Sequence, residues 1–299
     1  MTTAVDPDPT VEFESLRPRM FGLAYRMLGS AEEAQDTVQD AYLRFRATEP
    51  GAIEHLGAWL AKVVTNLCLN RLASARVQRE QYAGPWLPEP VVTSDGALGP
   101  LEYAERRDAV SCALLLLLER LTPTERAVYV LREAFAYGYR EIADVLGLGE
   151  ANCRQLYRRS VARMHADESR FEAAEPVRRE LVEAFVQAAR EGDLAGLEKF
   201  LAADVTWRSD GGGKVSSALR PIEGRDKVLR FLAGIVEKYA AGWDMAIAEV
   251  NGAPAVVARS GDAIVGVTSF EMRDGVVLAG HTVMNPDKLG FVSRQLAGS

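Results

Sequence analysis

Cysteine and histidine are scarce, with three of each among 299 residues, and they are scattered: Cys68, Cys112 and Cys153, then His55, His165 and His281. An odd, dispersed set of thiols argues against a disulfide framework or a cysteine-based zinc site and makes a reducing cytoplasm the natural setting. Long apolar runs are missing as well. The longest, Cys112–Leu118, falls far short of the ~20 residues that a membrane-spanning helix needs. The N-terminus, Met1-Thr-Thr-Ala-Val-Asp-Pro-Asp-Pro9, lacks the basic region and apolar segment of a secretory signal. Asp210-Gly-Gly-Gly-Lys214 is not a phosphate loop, because Val215 stands where Ser or Thr is required, and no Gly-x-Ser-x-Gly elbow occurs. The expectation is therefore no catalytic residue set, no metal and no cofactor.

An excess of basic charge is absent too: the formal net charge is −7. Its distribution is more informative than its sum. Trp59–Arg79 contains Lys62, Arg71, Arg76 and Arg79 without a single acid, and Ala151–Arg163 contains Arg154, Arg158, Arg159 and Arg163, again without one. Two purely basic helical windows in an acidic chain suit either solvated helix faces or contacts with nucleic acid.

Periodicity divides the chain. Residues 1–10 read as a flexible acidic arm. Over 11–82 the pattern is helical: Phe13, Leu16, Met20, Leu23 and Met27 recur at three and four residues, Gly29 breaks the run, and Ser30 is an N-cap followed by Glu32 and Glu33. Pro85, Pro88, Pro90 and Pro100, with Gly84, Gly96 and Gly99, mark 83–107 as an extended linker. Residues 108–166 are helical again, with Pro123 at N1 behind a Thr122 N-cap. Over 174–290, helical patterns at Val177–Ala189 and Lys227–Tyr239 precede strand-like stretches, with hairpin signals at Asn251–Gly252 and Asp274–Gly275. Residues 291–299 read as a polar, dispensable tail. The fold class is multidomain: two all-α helical domains, the second with a helix-turn-helix, then an α+β domain.

Tyr139–Ser160 carries the sharpest motif. Ile142, Ala143 and Leu146 would face inward on one helix, Gly147 would make the turn, and Cys153 and Leu156 would face inward on the next. Arg154, Gln155, Arg158 and Arg159 are then left outward, where arginine and glutamine can grip phosphates or read base edges in a major groove. The earlier basic helix places Trp59, Lys62, Asn66, Asn70 and Arg71 together, a mixture of aromatic, amide and cationic groups that suits unstacked bases. Taken alone, this second window fits a core tryptophan with capping amides better.

The order of these features resembles a bacterial RNA polymerase sigma factor of the extracytoplasmic-function type. Ala31-Glu-Glu-Ala-Gln-Asp-Thr-Val-Gln-Asp-Ala-Tyr-Leu-Arg-Phe45 looks like the family's acidic polymerase-binding helix, with Asp36, Gln39 and Asp40 on one face. Trp59–Arg76 looks like its −10 helix. Leu121–Glu133 followed by Tyr139–Arg163 looks like its fourth region, whose last helix reads the −35 element. The C-terminal part resembles a subgroup with a fused SnoaL-like domain, a cone of helices on a curved sheet. Three motifs carry this second resemblance: Trp86, Leu87, Pro88, Glu89 and Pro90; Asp210, Gly211, Gly212, Gly213 and Lys214; Asn285, Pro286, Asp287, Lys288 and Leu289. The resemblance implies core RNA polymerase and promoter DNA as partners, no membrane, and a C-terminal domain that modulates activity by meeting the linker. It also leaves room for a small molecule in the cone.

Two other classes fit parts of the chain. A ligand-gated helix-turn-helix regulator would need the basic helix but not Glu32–Phe45. A SnoaL-like enzyme fused to a DNA-binding module would place Asp204, Trp207, Asp210 and His281 around one pocket as acid–base candidates.

Overall fold

The computed structural model describes residues 9–49, 51–94, 110–165, 175–239 and 242–297. They fall into two compact units. The first comprises residues up to 76 together with 119–163, and the second comprises 77–94, 110–118 and the described residues from 164 onward.

The first unit is helical. Helices α1 (Pro9–Leu28), α2 (Ala31–Ala47) and α3 (Leu56–Glu80) open the chain. Gly29 adopts φ 68°, which stops α1, and the Ser30 side chain accepts the Glu33 amide at 3.1 Å to start α2. Fully buried Phe13 stacks between the rings of Tyr42 and Phe45, fixing α1 on α2. Helix α4 (Cys112–Leu118) belongs to the second unit. Helices α5 (Pro123–Glu133), α6 (Tyr139–Leu146) and α7 (Glu150–His165) complete the first. Thr122 and Glu125 form a reciprocal capping box at the start of α5. Between α6 and α7, Gly147 takes the left-handed turn at φ 65°.

The two helical stretches pack on each other. Arg126 of α5 is 3% exposed and donates to the Met27 carbonyl at 2.8 Å, at the C-terminal end of α1 where helix carbonyls lack intrahelical partners. The same guanidinium pairs with Glu119 at 2.8 Å. Buried Phe135 lies against the guanidinium groups of Arg19 and Arg26, 5.5 and 5.8 Å from its ring centre.

The second unit is built on a six-stranded sheet of order β2-β1-β6-β5-β4-β3. Its strands are β1 (Leu201–Asp210), β2 (Ile222–Glu223), β3 (Asp244–Val250), β4 (Ala253–Ser260), β5 (Ala263–Arg273) and β6 (Val276–Val283). β1 runs parallel to β6, and the other pairings are antiparallel. Asn251–Gly252 and Asp274–Gly275 turn the hairpins with φ of 54° and 73°, and 50° and 78°, the paired positive values of a type I′ turn. Helices α8 (Glu175–Glu191), α9 (Leu194–Lys199) and α10 (Arg225–Tyr239) bring Val182, Phe185, Leu197 and Val228 into one core with Trp207 and Val256. A second core joins Val257, Val267 and Val283 to Leu87 and Val92, and to Leu289 and Val292 of α11 (Pro286–Ala297).

Three expectations change here. The tail expected at 291–299 is helical to Ala297, with Val292 fully buried, because Val292 and Leu296 continue an apolar stripe begun by Leu289. The described part of the linker, 83–94, is extended as its prolines dictate, but it is docked, with Leu87, Pro88, Glu89 and Pro90 all buried. Residues 95–107 of that linker, and 1–8 of the arm, lie outside the described residues. Finally, α4 falls within the 108–166 region read as the second helical domain, yet it joins the second unit, where Leu116 packs on the core that holds Leu87.

Candidate functional sites

On α2, Asp36 and Gln39 are exposed and Asp40 is half-buried. Leu43, one turn further along, is 58% exposed, a large apolar side chain left in solvent beside acids. Asp40 is engaged within the chain: Arg71 of α3 donates to its carboxylate at 2.7 Å. Two residues predicted for different partners thus satisfy each other. Along α3, Trp59, Lys62, Asn66 and Asn70 recur at three- and four-residue intervals, with Lys62 and Asn70 exposed and Trp59 and Asn66 half-buried. Thr65 points the other way and is fully buried.

On α7, Cys153, Leu156 and Ser160 are buried while Arg154, Gln155, Arg158 and Arg159 are exposed, as the inward register requires. The basic face is partly tethered. Arg154 pairs with Glu150 and lies over the Tyr139 ring. Glu125, 2% exposed, accepts from Arg163 at 2.5 Å and lies 3.9 Å from Arg159, so one carboxylate caps α5 and anchors α7. Ser160 Oγ donates to the Glu125 carbonyl at 3.1 Å and fixes the same crossing.

The three short motifs meet inside the second unit around the Asp210 carboxylate, which has no exposed surface. It accepts from Tyr82 Oη at 2.5 Å, the Leu87 amide at 2.8 Å, the Gly212 amide at 3.1 Å and Lys288 Nζ at 2.7 Å. Lys288 is 7% exposed; its ammonium also donates to the Leu87 carbonyl at 2.6 Å and sits over the Tyr82 and Trp86 rings at 4.8 and 4.2 Å. A buried charge is stable only when paired and hydrogen-bonded, and both conditions hold here. Asn285 accepts the Asp287 amide at 3.1 Å and donates to Tyr82 Oη at 2.8 Å. Pro286 opens α11 behind it. Lys214 reaches Asp287 at 2.7 Å on the surface. Burial, then the Asp210 carboxylate, pushes the Tyr82 phenol well above its usual range.

The glycine triplet is a close fit. A Cβ on Gly211 would stand 2.7 Å from the Val215 carbonyl, and one on Gly212 (φ 59°) would strike the Asn285 amide.

Several members of this cluster went unnoticed in the sequence. Asn251 bonds both backbone groups of Val91 and donates to the Val110 carbonyl at 2.9 Å. The Thr93 amide bonds the Glu249 carbonyl at 3.0 Å, and Gln295 bonds both the amide and the carbonyl of Val92. The Asn-Gly pair signals a hairpin, but no sequence feature announces where the asparagine side chain goes.

The other face of the sheet covers a cavity of about 100 Å3, lined by Phe185, Trp207, Leu232, Met245, Phe270 and Met284 among others. The acid–base candidates do not converge on it. Trp207 lines the cavity, but Asp204 is exposed on β1 and Asp210 is in the buried cluster. His281 precedes Thr282, which faces the cavity, so it points through the opposite face, where its Nε2 lies 2.7 Å from Glu271.

Comparison with known proteins agrees with this anatomy. Residues 13–77 match the family model for sigma-70 region 2, residues 113–164 match sigma-70 region 4, and residues 182–284 match the SnoaL-like domain. The chain is 37% identical over 287 residues to the ECF RNA polymerase sigma factor SigJ of Mycobacterium tuberculosis, covering 93% of this chain and 92% of that protein. It is 32% identical over 291 residues to a probable ECF RNA polymerase sigma factor, SigI, of the same organism, covering 94% and 95%. The crystal structure of M. tuberculosis SigJ superposes with a TM-score of 0.75 at 35% identity, covering 94% of this chain and 98% of that one. Among the described residues no helix is long and apolar enough to cross a membrane.

Proposed function

The chain belongs to the extracytoplasmic-function family of RNA polymerase sigma factors, and from that premise we propose how its surfaces divide the task of promoter recognition. Asp36, Gln39 and Asp40, with Leu43 beside them, dock on core polymerase. An acidic patch speeds and orients encounter with a basic partner, while an exposed leucine adds apolar burial. Trp59, Lys62, Asn66, Asn70 and Arg71 hold the −10 strand, trapping unpaired bases so that melting draws on binding energy. Arg154, Gln155, Arg158 and Arg159 read or grip the −35 element.

The SnoaL-like domain modulates initiation through the segment it holds, residues 82–93. The observation that carries this reading is the Asp210 carboxylate, fully buried and bonded to Tyr82, Leu87, Gly212 and Lys288. So costly a buried charge is a specific clamp rather than incidental packing. The domain acts by binding and not by catalysis, a view supported by the dispersal of Asp204, Asp210 and His281 away from the cavity. A small-molecule effector in that cavity is compatible with this role.

The test is in vitro transcription with purified core polymerase, comparing the full chain with Asp210→Ala and Gly212→Val. A reproducible change in promoter output, in either direction, supports the clamp; output equal to wild type for both variants overturns it. Failure of the unaltered chain to support initiation at any start site would remove the polymerase and DNA assignments as well.

A further inference from the structure

The cavity has a chemical character that narrows its occupant. None of its described lining residues is charged, and apart from the Trp243 indole its polar side chains, Trp207, Thr268 and Thr282, lie together. There Trp207 Nε1 donates to Thr282 Oγ1 at 3.1 Å, and Thr282 Oγ1 lies 3.0 Å from Thr268 Oγ1. The indole and the two hydroxyls own three donor hydrogens, and these two bonds use two of them. Whichever threonine donates to the other, one hydroxyl hydrogen remains for a group inside an otherwise oily space. A ligand there must be neutral, because a buried ion without a counter-charge is costly. An acceptor on it gains affinity by meeting that hydrogen. The size is bounded from above: an apolar cavity of about 150 Å3 takes benzene, so about 100 Å3 admits at most one small ring, with room made by the adaptable Met245 and Met284.

The same cavity adjoins the Asp210 cluster through the chain itself. Met284 lines it, and the Met284 amide donates to the Asp210 carbonyl at 2.8 Å. The next residue, Asn285, donates its own amide to that carbonyl at 2.9 Å and holds Tyr82 with its side chain. Trp207, also in the lining, lies three residues before Asp210 on β1.

We infer that this cavity is a receptor site for a neutral, single-ring compound bearing one hydrogen-bond acceptor, and that its occupancy tightens the hold on residues 86–93. The inference rests on the modulatory role proposed above and names its signal. A ring packed on Met284 and Trp207 restrains the β6–α11 junction and the end of β1, the two strands that present Asn285 and Asp210. A ligand that binds only the ordered arrangement stabilises it, and the stabilisation grows with the logarithm of free ligand once its concentration exceeds Kd.

Saturation-transfer NMR on the full chain provides the test, with cyclohexanone, toluene and benzoate as probes. Cyclohexanone and toluene should bind saturably and benzoate should not. Thr268→Val/Thr282→Val keeps the shape and removes both hydroxyls, so it should weaken cyclohexanone about five- to tenfold, the worth of one neutral hydrogen bond, and leave toluene unchanged. Gly266→Leu, which projects into the cavity, should abolish binding of both probes. Hydrogen exchange at residues 86–93 should slow when cyclohexanone is added to the unaltered chain and stay constant in Gly266→Leu. Absence of ring binding, preferential binding of benzoate, equal loss of both neutral probes in Thr268→Val/Thr282→Val, or unaltered exchange at 86–93 with the cavity filled would each overturn the inference. Should Asp210→Ala still change transcription while these arms fail, the clamp stands and only its proposed signal is lost.

Discussion

Removing the Asp210 carboxylate is the most searching perturbation of the second unit. Asp210→Ala strips Lys288, 7% exposed, of its counter-ion and leaves the Tyr82 hydroxyl and the Leu87 and Gly212 amides without their acceptor. Breaking a buried ion pair from one side costs about 3–5 kcal/mol. For a unit of this size that corresponds to a fall in melting temperature of roughly 10 °C. Lys288→Met should cost less, about 1–3 kcal/mol, because the carboxylate keeps three donors. The double variant Asp210→Ala/Lys288→Met, which leaves no buried charge, should be more stable than the sum of the single losses predicts. Urea unfolding of the full chain followed by circular dichroism measures all three, and limited proteolysis reports whether residues 86–93 have come loose. A cost below about 1 kcal/mol for Asp210→Ala, with no new cleavage in that segment, would refute the argument that the carboxylate organises the clamp.

Tyr82 gives the clamp a pH dependence. Its phenol is pushed up, so the folded chain keeps a proton that the unfolded chain releases above about 10. Stability is therefore complete below that range and falls as the pH climbs through it; the drop in urea midpoint between pH 8 and 10.5 should shrink in Tyr82→Phe. Arg158→Ala should lower the slope of log affinity for promoter DNA against log salt by about 1, whereas Arg163→Ala should chiefly loosen α7 from Glu125, seen as a lower melting temperature. Leu43→Ala should weaken core-polymerase binding about tenfold, as loss of one buried leucine side chain predicts, measured by competition against the unaltered chain. Ending the chain after Gly290 deletes Val292 and Gln295 and should cost about 2–4 kcal/mol in the same urea assay.

Most local structure was legible in the sequence because it is locally caused. Gly29, Ser30, Pro123 and Gly147 each set a backbone conformation or a cap by their own chemistry, and the Asn-Gly and Asp-Gly pairs dictate their hairpins. Strand β1 escaped notice because a register shift between Leu201 and Thr206 breaks its alternation and leaves Ala203 and Asp204 exposed. Helix α11 was hidden by polar residues whose partners lie inside the fold. Gln295 is spent on Val92 and Lys288 on Asp210, so polarity that suggested solvent marks a buried network instead. The motif residues of the candidate site were visible as motifs, yet their bonding pattern depends on contacts more than 70 residues apart, such as the 78 between Asp210 and Lys288. Such separations leave no trace in periodicity. The pairing of Asp40 with Arg71 is a similar case, since each residue taken alone reads as a contact for an outside partner.

The bond from Arg126 to the end of α1 also bears on how tightly the free chain can hold a promoter. The bond joins the helical stretch that ends in α3 to the one that ends in α7, the two proposed above to contact DNA. Any arrangement on a duplex that sets them apart must first vacate the Met27 carbonyl and expose Arg126 and Phe135. The work of doing so is subtracted from every contact later made with DNA, so apparent affinity scales with the fraction of molecules already opened. A surface on polymerase that holds the two stretches apart would return that fraction to one without touching a single base.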